Sequence, residues 1–162
     1  MAKQINTRDI CWHPSPNYEE RQRRIDMIVI HYTEMESAAA AIARLCDPET
    51  KVSAHYLIDK AGALTQMVAD EHCAWHAGVS FWEGETRLNH NSIGIELDNN
   101  GNEPYAEAQM QTLEGLLAFL IEKHNIPPQR IVGHENIAPG RKVDPGPFFD
   151  WERLRQRGWG WI

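Results

Sequence analysis

Residues Met27–Tyr32 read MIVIHY, a short apolar run rich in β-branched side chains. With no polar alternation, such a run is a strand covered on both faces, inside a sheet flanked by other layers. Ser92–Leu97 (SIGIEL) is a second strand of this kind, and Arg130–Gly133 (RIVG) a shorter third. Val52–Ile58 and Ala63–Val68 read as a hairpin around the turn Asp59-Lys60-Ala61-Gly62. Helices lie between the strands. Ser37 can cap a helix through Leu45, which Asp47-Pro48 stops. Ala106–Lys123 carries Met110, Leu113, Leu116, Leu117, Leu120 and Ile121 as one apolar stripe, and Asp150–Arg157 is a short terminal helix. Strands interleaved with helices predict an α/β fold, a single domain with a mixed central sheet.

A chain of 162 residues is one domain by length, and 42% apolar with 24% charged residues is ordinary for a globular protein. A net charge of −7 argues against a nucleic-acid partner. The odd set Cys11, Cys46 and Cys73 has no close-spaced pair, which favours free, buried thiols in a reducing compartment. The start lacks an apolar signal region, and no run is long enough for a membrane span. The expectation is a cytoplasmic monomer without a membrane partner, or a periplasmic one if a leader has been removed. Residues 1–26 are polar and hold Pro14 and Pro16, so they read as an irregular arm packed on a domain formed by 27–162. The charged cluster Glu19–Arg24 reads as a solvated face. Asp70–Asn91 is a long loop rich in Trp, His and Gly, and long loops tend to be functional.

The chemistry gathers at the strand ends. His31 closes the first run, and His134 follows Ile131-Val132-Gly133. The chain then returns through Lys142, Val143 and Asp144 to the turn Pro145-Gly146. Two histidines on neighbouring strands and an aspartate ten residues on make a plausible three-ligand metal site with an open fourth position. The same residues could instead be two hydrogen-bonded strand-end histidines and a turn aspartate. Glu96 is the carboxylate on the otherwise apolar strand Ser92–Leu97, and it fits a general base or a buried ion pair. Lys142 would share a face with Asp144 in extended chain, as an oxyanion partner or a plain surface charge.

Four stretches carry a resemblance: IVIHYTEM at Ile28–Met35, AWHAGVSFWEG at Ala74–Gly84, NSIGIELDN at Asn91–Asn99 and GHENIAPGRKVDPGP at Gly133–Pro147. In that order they resemble the zinc-dependent N-acetylmuramoyl-L-alanine amidases of the bacterial AmpD/AmiD-like type. These share a fold with phage lysozyme-type amidases and animal peptidoglycan recognition proteins. The resemblance implies a zinc site in a groove along one face of the sheet, with His31, His134 and Asp144 as ligands. It further implies Glu96 as catalytic base and Lys142 as oxyanion partner. Substrate contacts are expected from Trp75, His76, Arg87, Asn89 and Asn91, with Arg87 on a stem-peptide carboxylate. The implied reaction is cleavage of the amide between N-acetylmuramic acid, or its 1,6-anhydro form, and L-alanine in cell-wall turnover or recycling. Rival readings are a peptidoglycan-binding module without activity and a phage lysis amidase. His55 is open between lining the groove, supporting a ligand and a core role; His13, His72, His90 and His124 read as surface.

Overall fold

The computed structural model describes residues 3–161; Met1 and Ala2 of the expected arm, and Ile162, lie outside the described residues. The sheet has six strands in the order β1-β5-β4-β7-β3-β8. These are β1 (Cys11–Trp12), β3 (Met27–Tyr32), β4 (Tyr56–Ile58), β5 (Leu64–Gln66), β7 (Ser92–Leu97) and β8 (Ile131–Gly133), while β2 (Tyr18–Glu20) and β6 (His72–Ala74) form a separate antiparallel pair. β3 lies between β7 and β8 and runs parallel to both; β4 is parallel to β7 and antiparallel to β5. The mixed sheet and its flanking helices match the α/β expectation.

Period-2 alternation divides the strands between two faces. Ile28, Ile30, Ile93 and Ile95 pack on Leu113, Leu116, Leu117 and Leu120 of α2 (Glu107–His124). Met27, Val29 and Val132 turn to the other face, covered by Ala77, Leu88 and Ile137. There α1 (Ala38–Leu45) adds Ala41 and Leu45 against Leu57, and Ser37 Oγ caps it by accepting from Ala40 N at 3.1 Å. The second face is the one on which His31, next in the Met27–Val29 row, must emerge.

Four expectations change. The arm is not irregular: β1 forms the sheet edge beside β5, and β2 pairs with β6. The Glu19–Arg24 cluster is not simply solvated, because Arg21 donates to the carbonyls of Asp70, Asn89, His90 and Ser92. Cys11 is exposed, whereas Cys73 is buried. The expected strand Val52–Ile58 keeps its ladder only at Tyr56–Ile58, since Ser53 is drawn instead to the backbone of Trp75 and Asn17.

Asp70 is a polar hub that local sequence did not reveal. Its buried carboxylate accepts from Tyr56 Oη (2.5 Å), Gln66 Nε2 (3.2 Å), Lys123 Nζ (3.1 Å) and His124 Nε2 (2.7 Å). His124 is therefore a hydrogen-bond partner of Asp70 and not a free surface residue. Burial would raise the Asp70 carboxyl, but these donors outweigh it and hold it below the usual 3.8. Asp70→Ala strands several donors and should cost about 3–5 kcal/mol in urea unfolding at neutral pH. With a depressed folded pKa, that stability is present above the unfolded value and is lost as pH falls through the folded one. The gap between wild type and Asp70→Ala should accordingly narrow as pH falls below 3.8 toward the lower folded value; a gap unchanged there would refute the role of the carboxylate charge.

Candidate metal centre and active site

The ladder pairs His31 with Glu96 and Ile30 with Gly133, so His134, the first residue of α3 (His134–Ile137), comes beside His31. The loop after α3 brings Asp144 back, fixed by Glu135 N donating to Asp144 O at 2.8 Å. The Nδ1 atoms of His31 and His134 lie 3.1 Å apart. Asp144 Oδ2 is 3.0 Å from the first and 3.3 Å from the second. All three side chains are buried.

These distances test whether the residues suit a metal. Zn–N bonds of about 2.0–2.1 Å in a tetrahedron set neighbouring ligand atoms about 3.3 Å apart, close to the spacing observed. Proton placement points the same way. His134 Nε2 lies 2.8 Å from Ala77 O, and a carbonyl only accepts, so the single N–H of the neutral ring is used there. His134 Nδ1 then faces Asp144 Oδ2 lone pair to lone pair, an arrangement that a cation relieves. Burial lowers the His31 pKa and favours the neutral, ligating form. Burial works against the Asp144 carboxylate, and positive charge placed between it and the two rings, a proton or a metal ion, holds it well below the usual range. The group can hold a metal ion.

A groove of about 490 Å³ opens over this centre, with Glu96, Lys142, Trp75, Arg44 and Arg141 in its lining. Glu96 Oε2 is buried and without a hydrogen-bond partner among the described residues. Burial, then Asp144, raises its carboxyl well above the ordinary value, against the pull of Lys142 and Arg44.

The other expected contacts fall elsewhere. His76 touches the groove, but its buried ring stands behind His31, with Nδ1 3.0 Å from His31 Nε2. Arg87 lies outside the groove, in a shallow second pocket, and donates to Gln22 Oε1 at 3.1 Å. Its left-handed backbone, φ 55°, opens the turn Leu88–Asn91 and directs it there. Asn89 Oδ1 accepts from the backbones of His76 and Ala77, and Asn91 Nδ2 donates to Asp26, so both hold the loop instead of meeting a ligand. His55 is a core residue: Nδ1 accepts from Gly94 N, Nε2 donates to His72 O, and burial depresses its pKa to about 3. His90, also read as surface, is buried beside Glu19. Arg44 and Arg141 were missed because their helix and loop show no pattern pointing at the groove. The place of His76 did have a signal in Gly94, since a lone glycine inside a strand marks a close approach.

Glu19, Cys73 and His90 also cluster, but Arg21, Arg23 and Arg87 surround them, and burial pushes the Cys73 thiol up to about 11. A protonated thiol among guanidinium groups is a poor cation site.

Residues 21–147 match the family model for N-acetylmuramoyl-L-alanine amidase (Amidase_2). The chain is 41% identical over 153 residues to N-acetylmuramoyl-L-alanine amidase AmiD of Escherichia coli, covering 85% of this chain and 54% of AmiD. It therefore spans about half the length of that relative. It is 36% identical over 159 residues to 1,6-anhydro-N-acetylmuramyl-L-alanine amidase AmpD of Haemophilus influenzae, covering 86% of each. A crystal structure of a selenomethionine AmpD derivative superposes with a TM-score of 0.85 at 34% identity, over 96% of this chain and 98% of that one. AmiD in complex with anhydro-N-acetylmuramic acid-L-Ala-D-γ-Glu-L-Lys superposes with a TM-score of 0.79 at 37% identity, over 89% and 66%. With residues 21–147 on the family model and relatives of this similarity over most of its length, the chain belongs to the N-acetylmuramoyl-L-alanine amidase family.

Proposed function

We propose that the chain is a zinc amidase that hydrolyses the bond between the lactyl group of N-acetylmuramic acid, or its 1,6-anhydro form, and L-alanine in peptidoglycan fragments. The observation that carries this reading is the convergence of His31 Nδ1, His134 Nδ1 and Asp144 Oδ2 on the same sheet face as Glu96, whose Oε2 has no partner. AmpD and AmiD, whose names state this reaction, support the substrate class. The division into an arm, 1–26, on an amidase domain, 27–162, belongs to the same reading.

His31, His134 and Asp144 would hold the zinc. Bound there, it supplies Lewis acidity that polarises the scissile carbonyl and acidifies a water. Glu96, with its raised pKa, is suited to take the water proton on Oε2 and deliver it to the leaving nitrogen. Lys142 brings positive charge to the groove, where the carbonyl oxygen becomes anionic. Trp75 offers an aromatic face for the sugar–lactyl junction. Arg44 lines the groove with no side-chain partner among the described residues, and we assign to it the stem-peptide carboxylate that Arg87 does not reach.

Mutagenesis separates the roles. Glu96→Gln should keep full zinc content while kcat falls about 10²–10⁴-fold, and Asp144→Asn should lose metal. Near-normal turnover in Glu96→Gln would place the base elsewhere. Chelation should abolish hydrolysis of an anhydro-muropeptide and lower Tm, since a ligand bound only by the folded state stabilises it; zinc should restore both. Arg44→Ala should raise KM about tenfold for substrates with the distal carboxylate, the equivalent of about 1.5 kcal/mol, while Arg87→Ala leaves KM unchanged. The reverse pattern in steady-state kinetics would return the role to Arg87.

A further inference from the structure

Behind His31 runs a line of hydrogen bonds that ends on a group with only one possible role. Ser92 Oγ lies 2.6 Å from Leu88 O, and a backbone carbonyl can only accept. The one hydroxyl proton of Ser92 is therefore directed to Leu88 O, and Ser92 Oγ must accept from its other neighbour, His76 Nε2, at 3.0 Å. His76 then carries its proton on Nε2 and presents a lone pair at Nδ1. That lone pair faces His31 Nε2 at 3.0 Å, so His31 Nε2 is the donor. With its proton on Nε2, the His31 lone pair lies on Nδ1, the atom that meets His134 and Asp144.

We propose that Leu88 O, Ser92 and His76 form a one-way relay that fixes His31 in its Nε2–H tautomer, making His76 a positioning residue for the metal ligand instead of a substrate contact. The proposal rests on the reading of His31, His134 and Asp144 as a metal site. Metal-bound histidines commonly donate their second N–H to a carboxylate, a carbonyl or water, which sets ring orientation and ligand basicity. Here the acceptor is a second imidazole, and an imidazole has two tautomers. One of them would turn an N–H toward His31 and reverse the chain, and Ser92, tied to Leu88 O, excludes it. His134 needs no such device, because its Nε2 meets the Ala77 carbonyl directly.

The packing is built around this ring. His76 is buried, and its imidazole lies over Gly94 of β7 so closely that a Cβ at position 94 would stand 2.5 Å from His76 Cγ. Ser92 and Gly94 alternate on the face that also carries Glu96, so one strand supplies the relay's serine, the clearance for its histidine and the proposed base.

The test reads tautomer and metal affinity, both independent of turnover. In zinc-loaded protein, long-range ¹H–¹⁵N spectra of the imidazoles should show His76 and His31 protonated on Nε2. Zinc affinity, measured by competition with a chromophoric chelator, should fall about 10–100-fold in His76→Phe. His76→Asn, which keeps an acceptor near the Nδ1 position, should retain most of it. Ser92→Ala removes one oxygen from the buried network, and it should weaken zinc binding and let Nδ1-protonated His76 appear. An Nδ1-protonated His76 in wild type, or wild-type zinc affinity in either His76→Phe or Ser92→Ala, would overturn the relay. Failure of wild type to bind one zinc would instead overturn the metal reading on which it rests.

Discussion

The site depends on the parallel pairing of β3 with β7 on one side and β8 on the other. Paired residues in parallel strands turn their side chains to the same face, and all three strands end on the same edge. That geometry alone sets Glu96 beside His31 and sends the chain from Gly133 into His134. A slip of one residue in β7 would turn Glu96 toward α2 and put an isoleucine beside the histidines. The register is held because Ile28, Ile30, Ile93 and Ile95 bury together against the leucines of α2. Apolar packing on one face thus fixes polar chemistry on the other.

That chemistry is costly to hold. Two imidazoles and two carboxylates meet with their side chains largely buried, and Glu96 Oε2 has no compensating bond among the described residues. An unsatisfied buried polar group costs about 1–3 kcal/mol, a sizeable share of a small domain's stability. The two carboxylates respond in opposite directions: Asp144 is held ionised by positive charge shared with its histidines, and Glu96 is pushed toward protonation by burial and by Asp144 itself. Carboxyl groups driven apart in this way suit the proposed roles of fixed anion for Asp144 and proton carrier for Glu96.

The elements legible in the sequence are those with enough residues to show a period. β3, β7 and α2 run six, six and eighteen residues and were placed nearly to their ends. β1, β2 and β6 have two or three residues each and pair with segments far away, so nothing local distinguishes them from loop. Arg21 escaped for the same reason, since its partners are backbone carbonyls on the distant segments Asp70 and Asn89–Ser92. The nearness of His31 and His134 is legible because each sits at the end of an apolar strand, whereas adding Asp144 and choosing a metal site over a merely hydrogen-bonded one took the family resemblance. Arg87 could not be located, because its direction follows from a left-handed backbone in a loop whose path no pattern encodes.

The loop Asp70–Asn91 explains how a segment with so little regular structure can hold His134 in place. Its polar groups are tied inward. Asn89 Oδ1 takes the N–H groups of His76 and Ala77, and the Trp75 backbone exchanges hydrogen bonds with Ser53. Arg21 clamps the loop's two ends by reaching the carbonyls of Asp70 and His90 together. Each tie satisfies a backbone group that burial would otherwise leave stranded. Ala77 O can then serve as a fixed acceptor, taking the His134 N–H on one side and Arg141 on the other. Through that single carbonyl the loop orients His134, the ligand in the proposed metal site, and anchors Arg141 at the rim of the groove.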